Sequence, residues 1–286
     1  MRYFDYVLIH GFTKKNIVTI REIYPNTKIA LLNPGNIIYY KWHKSADRNL
    51  KKFLEKYIDL VIVRTFVWKD LVESILKIPV YEFLDIEESF ISEPKTFNRD
   101  LPLVIGYHGN EVHFAKDFIT DGKDALLNLT NEFNFELHVI TSNAHRQPNI
   151  DGVKMKKIEY SLDTFWDDVD RFTIGICPIV SSKTKKNDIT TMIRNGNRAV
   201  SMMSRGIPTI ISPTQQVKID FQENKHILYA HNSDDWFEKI KILFTNKNVY
   251  EDLSQNGLEH VSKNFSVSVG LNRLVEIFAL HETKVN

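Results

Sequence analysis

Short apolar strands alternate with amphipathic helices along almost the whole of this 286-residue chain. The segment 173–178 shows the strand pattern most clearly, because nearly all of its residues are apolar. Parallel strands need crossover connections, and helices usually supply them. The alternation therefore predicts an α/β protein with doubly wound parallel sheets that carry helices on both faces.

One segment, residues 88–102, interrupts the alternation. It has no periodicity and is rich in proline and charge, which is typical of a linker. We therefore predict a short N-terminal Rossmann-like domain over 1–97, a C-terminal one over 98–265, and a last helix over 266–286 that packs back on the first domain. Two doubly wound domains joined in this way face a central cleft between the carboxyl ends of their sheets, where ligands bind.

The pattern places further elements by number. Strands are predicted at 6–9, 28–32, 60–64, 80–84, from 103, at 136–141, 155–159, 173–178, 207–211 and 227–230. Helices are predicted at 15–23, 47–56, 69–76, 123–132, 162–169, before Gly206, and at 233–244, 249–262 and 266–281, the helix at 233 being capped by Ser233.

Charge and cysteine content exclude several classes of protein. Lys and Arg number 37 against 36 Asp and Glu, so nothing indicates a nucleic-acid partner. Cys177 is the one cysteine, which excludes a disulfide framework and a cysteine metal cluster. The N-terminus lacks the pattern of a signal peptide, and no window is apolar enough to span a membrane. We expect a cytoplasmic protein; peripheral contact with the inner membrane face and the oligomeric state stay open.

A polar glycine turn, Asn195-Gly196-Asn197-Arg198, comes before a short helix that we expect to end at Gly206. Either asparagine is a helix-capping residue, and the backbone of Gly196 allows close approach of a ligand. The start of a helix offers free N–H groups and a positive dipole end, which suit a phosphate. Arg198 adds a positive charge where the dipole does not favour one, which indicates a functional role.

Four segments in order carry a family resemblance. They are 103–109 (LVIGYHG), 173–179 (TIGICPI), 197–212 (NRAVSMMSRGIPTIIS) and 236–240 (WFEKI). The second half of the chain resembles the donor domain of GT-B glycosyltransferases, in particular the large retaining family 4. The resemblance implies transfer of a sugar from a nucleotide-diphospho sugar to a glycan or lipid-linked acceptor. It also implies that no metal or other cofactor is needed, because basic side chains and helix N-termini hold the diphosphate.

The resemblance assigns candidate roles. Arg198 would stabilise the charge of the departing diphosphate, and His10, at the end of the first strand, would act as a base toward the acceptor hydroxyl. The candidate donor-binding residues are Gly109, Asn110, Thr141, Ser142, Gly196, Asn197, Arg198 and Ser201. Ser201 stands where the family commonly has a glutamate that binds the donor ribose, and the earlier glutamate of that pair falls near Ile193.

Other groups have plainer interpretations. The acidic pairs Glu87-Glu88 and Asp167-Asp168 are predicted to lie on the surface. Aromatic residues at 39–42 would stack on an acceptor sugar or pack in the core, and the basic loop 181–187 would clamp an anion or remain solvated.

Three other functions stay open beside the transferase. A non-catalytic GT-B-like protein would bind a sugar or a partner transferase, and the missing glutamates favour it. A nucleotide-sugar epimerase shares the architecture, although its acidic and histidine residues cannot be placed here. A dinucleotide oxidoreductase is disfavoured, because no G-x-G-x-x-G follows the first strand.

Overall fold

The computed structural model describes residues 4–11, 13–34, 48–181, 183 and 189–285. The chain divides into two compact units: Met1–Asp85 with Ser268–Asn286, and Ile86–Val267. The aromatic residues at 39–42 and most of the basic loop at 181–187 lie outside the described residues.

The first unit is built on a parallel sheet. Its strands lie side by side in chain order: β1 (Tyr6–His10), β2 (Lys28–Leu32), β3 (Leu60–Val63) and β4 (Val80–Glu82). Its helices are α1 (Lys14–Ile23), α2 (Arg48–Tyr57), α3 (Phe66–Ile75) and most of the last helix of the chain, which spans Val267–Val285. One sheet face packs against the first three helices and the other against the last helix, where Phe278 stacks on Tyr6 at 4.3 Å between ring centroids.

The second unit has a six-stranded parallel sheet. Its strands are β5 (Leu103–His108), β6 (Phe135–Thr141), β7 (Met155–Glu159), β8 (Ile174–Cys177), β9 (Thr209–Ile211) and β10 (Leu228–Tyr229). Its helices are α4 (Glu111–His113), a π-helical turn (Phe114–Phe118), α5 (Ile119–Leu129), α6 (Phe165–Val169), α7 (Ile189–Met192), α8 (Asn197–Met203), α9 (Gln215–Asp220), α10 (Ser233–Thr245) and α11 (Lys247–Phe265); the last helix is α12.

The strand order of this sheet reverses between two neighbours. The order is β10-β9-β8-β5-β6-β7, so the chain builds one half outward from β5 and then returns to β8 to build the other. This is a doubly wound sheet, whereas the described strands of the first unit follow one another without reversal. In doubly wound sheets ligands bind outside the carboxyl ends of the strands at the point of reversal. The loops that follow β5 and β8 therefore define where a site is expected.

The boundary between the units differs from the predicted one at residue 97. The structure divides the chain after Asp85, because the following segment is bonded into the second unit. Glu87 N–H donates to Phe265 O over 2.7 Å, and Lys95 Nζ donates to Asp170 O over 2.6 Å. Aperiodic sequence here marks an extended segment that lies on a domain, and not a free linker.

Local signals located most elements within a few residues, but the helices α7 and α9 were not predicted. The helix predicted at 123–132 ends at Leu129, but helical structure begins at Glu111, because a π turn interrupts the usual period. The helix predicted to be capped by Ser233 is capped by the side chain of Asn232, which accepts from Asp235 N. None of the described helices is long and apolar enough to cross a membrane.

Candidate functional site

Arg198 joins the two loops at the reversal of the second sheet. Its Nη1 donates to the hydroxyl of Tyr107 in β5 over 2.8 Å, and its Nη2 donates to the carbonyl of Pro178, just after β8, over 2.8 Å. The guanidinium carbon also lies 5.4 Å from the centroid of the Tyr107 ring. Arg198 thus lies where the sequence predicted a ligand-binding cation, but two of its five N–H donors are held inside the protein.

The partners of Arg198 are themselves fixed. Tyr107 is fully buried and donates its hydroxyl hydrogen to Asn110 O over 2.6 Å, and burial raises the pKa of this phenol. Burial lowers the pKa of His108 to about 4, so its ring is neutral. A carbonyl can only accept, so Nε2 of His108 donates to Arg198 O over 3.1 Å. His108 therefore holds the backbone of α8 in place.

Two features require a glycine at position 109, its backbone conformation and the neighbouring Arg198 side chain. Its φ is +134°, a region that residues other than glycine rarely adopt, and an added β-carbon would lie 2.6 Å from Cδ of Arg198. Asn110 then caps α4, its side chain accepting from Val112 N over 2.8 Å. The predicted phosphate-facing backbone of this loop therefore lies against the Arg198 side chain.

The predicted free amides at the start of α8 have partners within the protein. Gly196 is the N-cap residue, and Asn197 uses its side chain to accept from the amide of Arg198 over 2.9 Å. The amide of Ala199 donates toward the sulfur of Cys177, which is fully buried. The expectation that Asn195 or Asn197 caps this helix is wrong, because Gly196 is the N-cap residue, while phosphate binding by the start of the helix stays a prediction.

Gly196 serves packing. An added β-carbon would lie 2.7 Å from Cε2 of Phe221, so the space beside the glycine is filled by an aromatic ring. The expected end of the helix is confirmed: Gly206 has a φ of +63° and its N–H donates to Met203 O over 2.9 Å.

Ser201 is bound to a carboxylate that the sequence placed on the surface. Its hydroxyl donates to Oε2 of Glu87 over 2.8 Å. Glu87 is 8% exposed, and its Oε1 accepts from the amides of Glu88 and Ser89. Asp168 of the other acidic pair is also 8% exposed. The surface interpretation is therefore wrong for one member of each pair, because internal partners stabilise the buried carboxylates.

A second charged cluster lies beside the same reversal. His113, at the end of α4, has its Nδ1 2.7 Å from Oδ2 of Asp117 in the π turn. Arg194 Nη1 lies 3.5 Å from the same oxygen and donates to Ile179 O over 2.5 Å. The side chains of His113 and Arg194 are 31% and 36% exposed, so solvent reaches both of them. The sequence analysis did not select these residues, although the spacing of His113 and Asp117 by four on a helix was visible.

The remaining predicted residues are dispersed. Thr141 ends β6 and is 1% exposed, and its hydroxyl has no hydrogen-bond partner among the described residues. Ser142 follows it on the surface. His10 is exposed at the end of β1, in the first unit, whereas the other candidates belong to the second. The described residues contain no group of three or more His, Cys, Asp or Glu side chains that could hold a metal ion.

Comparisons with solved structures identify the fold. TarM from S. aureus is 14% identical, with a TM-score of 0.65 over 96% of this chain and 54% of its own. HepE from Anabaena, solved with UDP-glucose, is 11% identical, with a TM-score of 0.65 over 95% of this chain and 78% of its own. The chain has the GT-B fold. A proposed UDP-N-acetylglucosamine 2-epimerase from Listeria monocytogenes is also similar, at 13% identity and a TM-score of 0.57 over 99% of this chain and 76% of its own.

The likeness of this GT-B chain to known proteins is one of fold. No protein-family model matches it, and no curated protein does. The chain spans about half the length of TarM. The predicted GT-B architecture is confirmed, while membership of family 4 stays a prediction, because fold similarity at such identity does not fix the chemistry.

Proposed function

We propose that the chain is a glycosyltransferase that moves a sugar from a nucleoside-diphospho sugar to a glycan or lipid-linked acceptor, without a metal ion and with retention. The cluster of cationic side chains at the reversal of a GT-B sheet carries this proposal. Arg194 and Arg198 bind successive carbonyls after β8, and the remaining N–H groups of each guanidinium suit a diphosphate.

The main catalytic requirement of the proposed reaction is to stabilise the negative charge on the departing diphosphate. The bond between the anomeric carbon and the diphosphate oxygen breaks, the acceptor oxygen forms the new bond, and the acceptor proton is released. Negative charge develops on the diphosphate, so fixed donors that face it lower the barrier. His10 is our candidate for the group that receives the acceptor proton.

Two structurally similar proteins support a nucleoside-diphospho sugar as the donor. HepE was solved with UDP-glucose, and a mutant of S. aureus TarM with fondaparinux, α-GlcNAc-glycerol and UDP. By analogy with these two proteins, we propose that this chain uses a nucleoside-diphospho sugar as its donor and a glycan as its acceptor.

One set of observations favours a second candidate, a non-catalytic GT-B-like binding protein. Ser201 already donates to Glu87, and the first amides of α8 have internal partners. A site whose predicted ligands are satisfied internally has fewer donors left for a transition state.

The test is a screen of the purified chain with UDP-, GDP-, ADP- and dTDP-sugars, by thermal shift for binding and by release of the nucleoside diphosphate for turnover. Binding with turnover supports the transferase, and binding without turnover supports the second candidate. Conversion of UDP-N-acetylglucosamine to an isomer without an acceptor, followed by NMR, would indicate an epimerase. Absence of binding to all four donor classes would contradict the proposed function.

A further inference from the structure

His113 lies beside a π turn whose aromatic residues are buried. Helical structure begins at Glu111 and passes at once into the π turn Phe114–Phe118. Phe114 and Phe118 are fully buried, and Phe118 meets the Trp236 ring edge-on at 5.3 Å between centroids. The buried side of the turn is thus fixed by aromatic packing, and π turns inside helices occur often at functional sites.

The hydrogen bond to Asp117 determines that Nδ1 of the His113 imidazole carries a hydrogen. An ionised carboxylate can only accept, so Nδ1 of His113 carries a hydrogen and donates it to Oδ2 over 2.7 Å. Nε2, the other ring nitrogen, has no hydrogen-bond partner among the described residues. The side chain of Asp117 is 14% exposed, while that of His113 is 31% exposed. A largely buried carboxylate therefore orients a ring that solvent still reaches, an arrangement that differs from an ordinary surface ion pair.

Arg194 brings a positive charge to this pair. Its Nη1 lies 3.5 Å from Oδ2 of Asp117, and the same nitrogen donates to Ile179 O. Because Nδ1 of His113 donates to Asp117, Nε2 can donate to a phosphate oxygen when the ring carries a hydrogen on both nitrogens. His113 follows β5 and Arg194 follows β8, so the two side chains flank the reversal of the sheet, where ligands bind in doubly wound folds.

We propose that His113 binds the diphosphate of the donor through Nε2, with Asp117 as its positioning residue and Arg194 as a second phosphate ligand. The inference rests on the proposed function and names the residues that bind the donor's anionic group. It extends the phosphate-binding set from the arginines after β8 to the loop after β5 at the same edge of the sheet.

The experiment compares diphosphate with monophosphate binding in three forms of the full chain. UDP, GDP, ADP and dTDP are titrated into wild type by calorimetry, and the one that binds is then compared with its monophosphate and with inorganic pyrophosphate. We expect His113→Ala to weaken diphosphate and pyrophosphate binding by about tenfold or more, and monophosphate binding much less. His231→Ala is the matched control, because His231 is an exposed histidine of the same unit beyond the edge strand β10, and it should match wild type.

Asp117 provides the second variant pair. Asp117→Asn keeps an oxygen that accepts from Nδ1 and so keeps the ring oriented, and diphosphate binding should fall less than in Asp117→Leu. Asp117→Leu removes the acceptor, so binding should weaken toward that of His113→Ala. Thermal unfolding of each variant without ligand shows whether it is folded, and if Asp117→Leu is unfolded, Asp117→Asn is compared with His113→Ala instead.

The outcomes separate the inference from the proposed function. If wild type binds a nucleoside diphosphate and His113→Ala binds it equally well, the inference is wrong while the proposed function stands. An equal loss for diphosphate and monophosphate would also overturn it, because a purely structural role affects both. If wild type binds none of the four nucleoside diphosphates, the proposed function fails and the inference with it.

Discussion

The two loops beside the sheet reversal begin their helices in different ways. After β5, Asn110 caps its helix through its side chain, and the partly exposed His113 follows within the first turn. After β8, Gly196 begins α8 without a side-chain cap, and the next amides are bound by Asn197 and Cys177. Both loops carry asparagine beside glycine before a helix. The same pair of residue types therefore precedes two different helix starts. The one after β5 presents the His113 side chain, whereas amides of the one after β8 are bound by residues of the protein itself.

The largest expected effect is in the loop after β5. Gly109→Ala should lower the free energy of unfolding by about 4 kcal/mol, because it adds backbone strain at a φ of +134° and a contact of 2.6 Å with Arg198 Cδ. Urea denaturation measures it. Gly11→Ala is the control, since Gly11 also has a positive φ, +72°, but no described atom within 4 Å of the added carbon. Equal losses for both variants would show that the contact with Arg198 does not restrict this loop.

The next effect depends on pH. The pKa of His108 is lowered to about 4 by burial and, to a smaller extent, by Arg198. The unfolded chain therefore binds more protons than the folded one between its ordinary pKa of about 6.5 and about 4, so stability falls as the pH is lowered through this window, by up to about 3 kcal/mol. His108→Gln should lose this part of the dependence when unfolding is measured at about pH 7 and about pH 5. An unchanged difference between the two pH values would contradict a neutral, buried His108.

We expect variants of Arg198 to affect mainly the stability of the protein and variants of Arg194 to affect mainly diphosphate binding. Arg198→Ala leaves Pro178 O and the Tyr107 hydroxyl short of a partner, so the free energy of unfolding should fall by about 2 kcal/mol without any ligand. Arg194→Ala removes a side chain that is 36% exposed and donates to one carbonyl, so we expect a loss of about 1 kcal/mol and a larger effect on diphosphate affinity. Arg198→Lys should recover little, because an ammonium lacks the planar fork. The reverse order of stability losses would identify Arg194 as the structural arginine.

The smallest effect tests the two asparagines directly. Asn110→Ala should cost about 1 kcal/mol, the usual value of a side-chain cap. Asn197→Ala should cost under about 0.5 kcal/mol, since Asn197 is an exposed residue inside the helix and not its cap. Thermal unfolding of the two single variants makes the comparison, and equal losses would mean that the two helix starts do not differ as described.

Most of the strands could be predicted because they are short apolar runs. Strand 28–32 agrees with β2 and strand 155–159 with β7 at both ends. The start of the helix after β5 could not be predicted, because a π turn shifts the buried positions away from the period of an α-helix. The parallel order of the strands followed from the alternation, but their reversal between β8 and β5 depends on long-range pairing.

The candidate site was predicted in part. Arg198 lies beside the loops that follow β5 and β8, in the first turn of a helix as the local sequence predicted. Its partner Tyr107 is 91 positions away and the partner of Ser201, Glu87, is 114 positions away, so no local pattern reveals them. Whether a polar side chain is available to a ligand depends on such distant partners.

The segment from Glu87 to Phe97 has a practical consequence for anyone who isolates the second unit. Phe97 contributes to the main core and Glu87 is tied to Phe265 and Ser201. A recombinant fragment that starts at residue 98, the predicted boundary, would lack Phe97 from the core and would leave the Ser201 hydroxyl without Glu87. Expression should begin ahead of Ile86 if the product is to remain soluble.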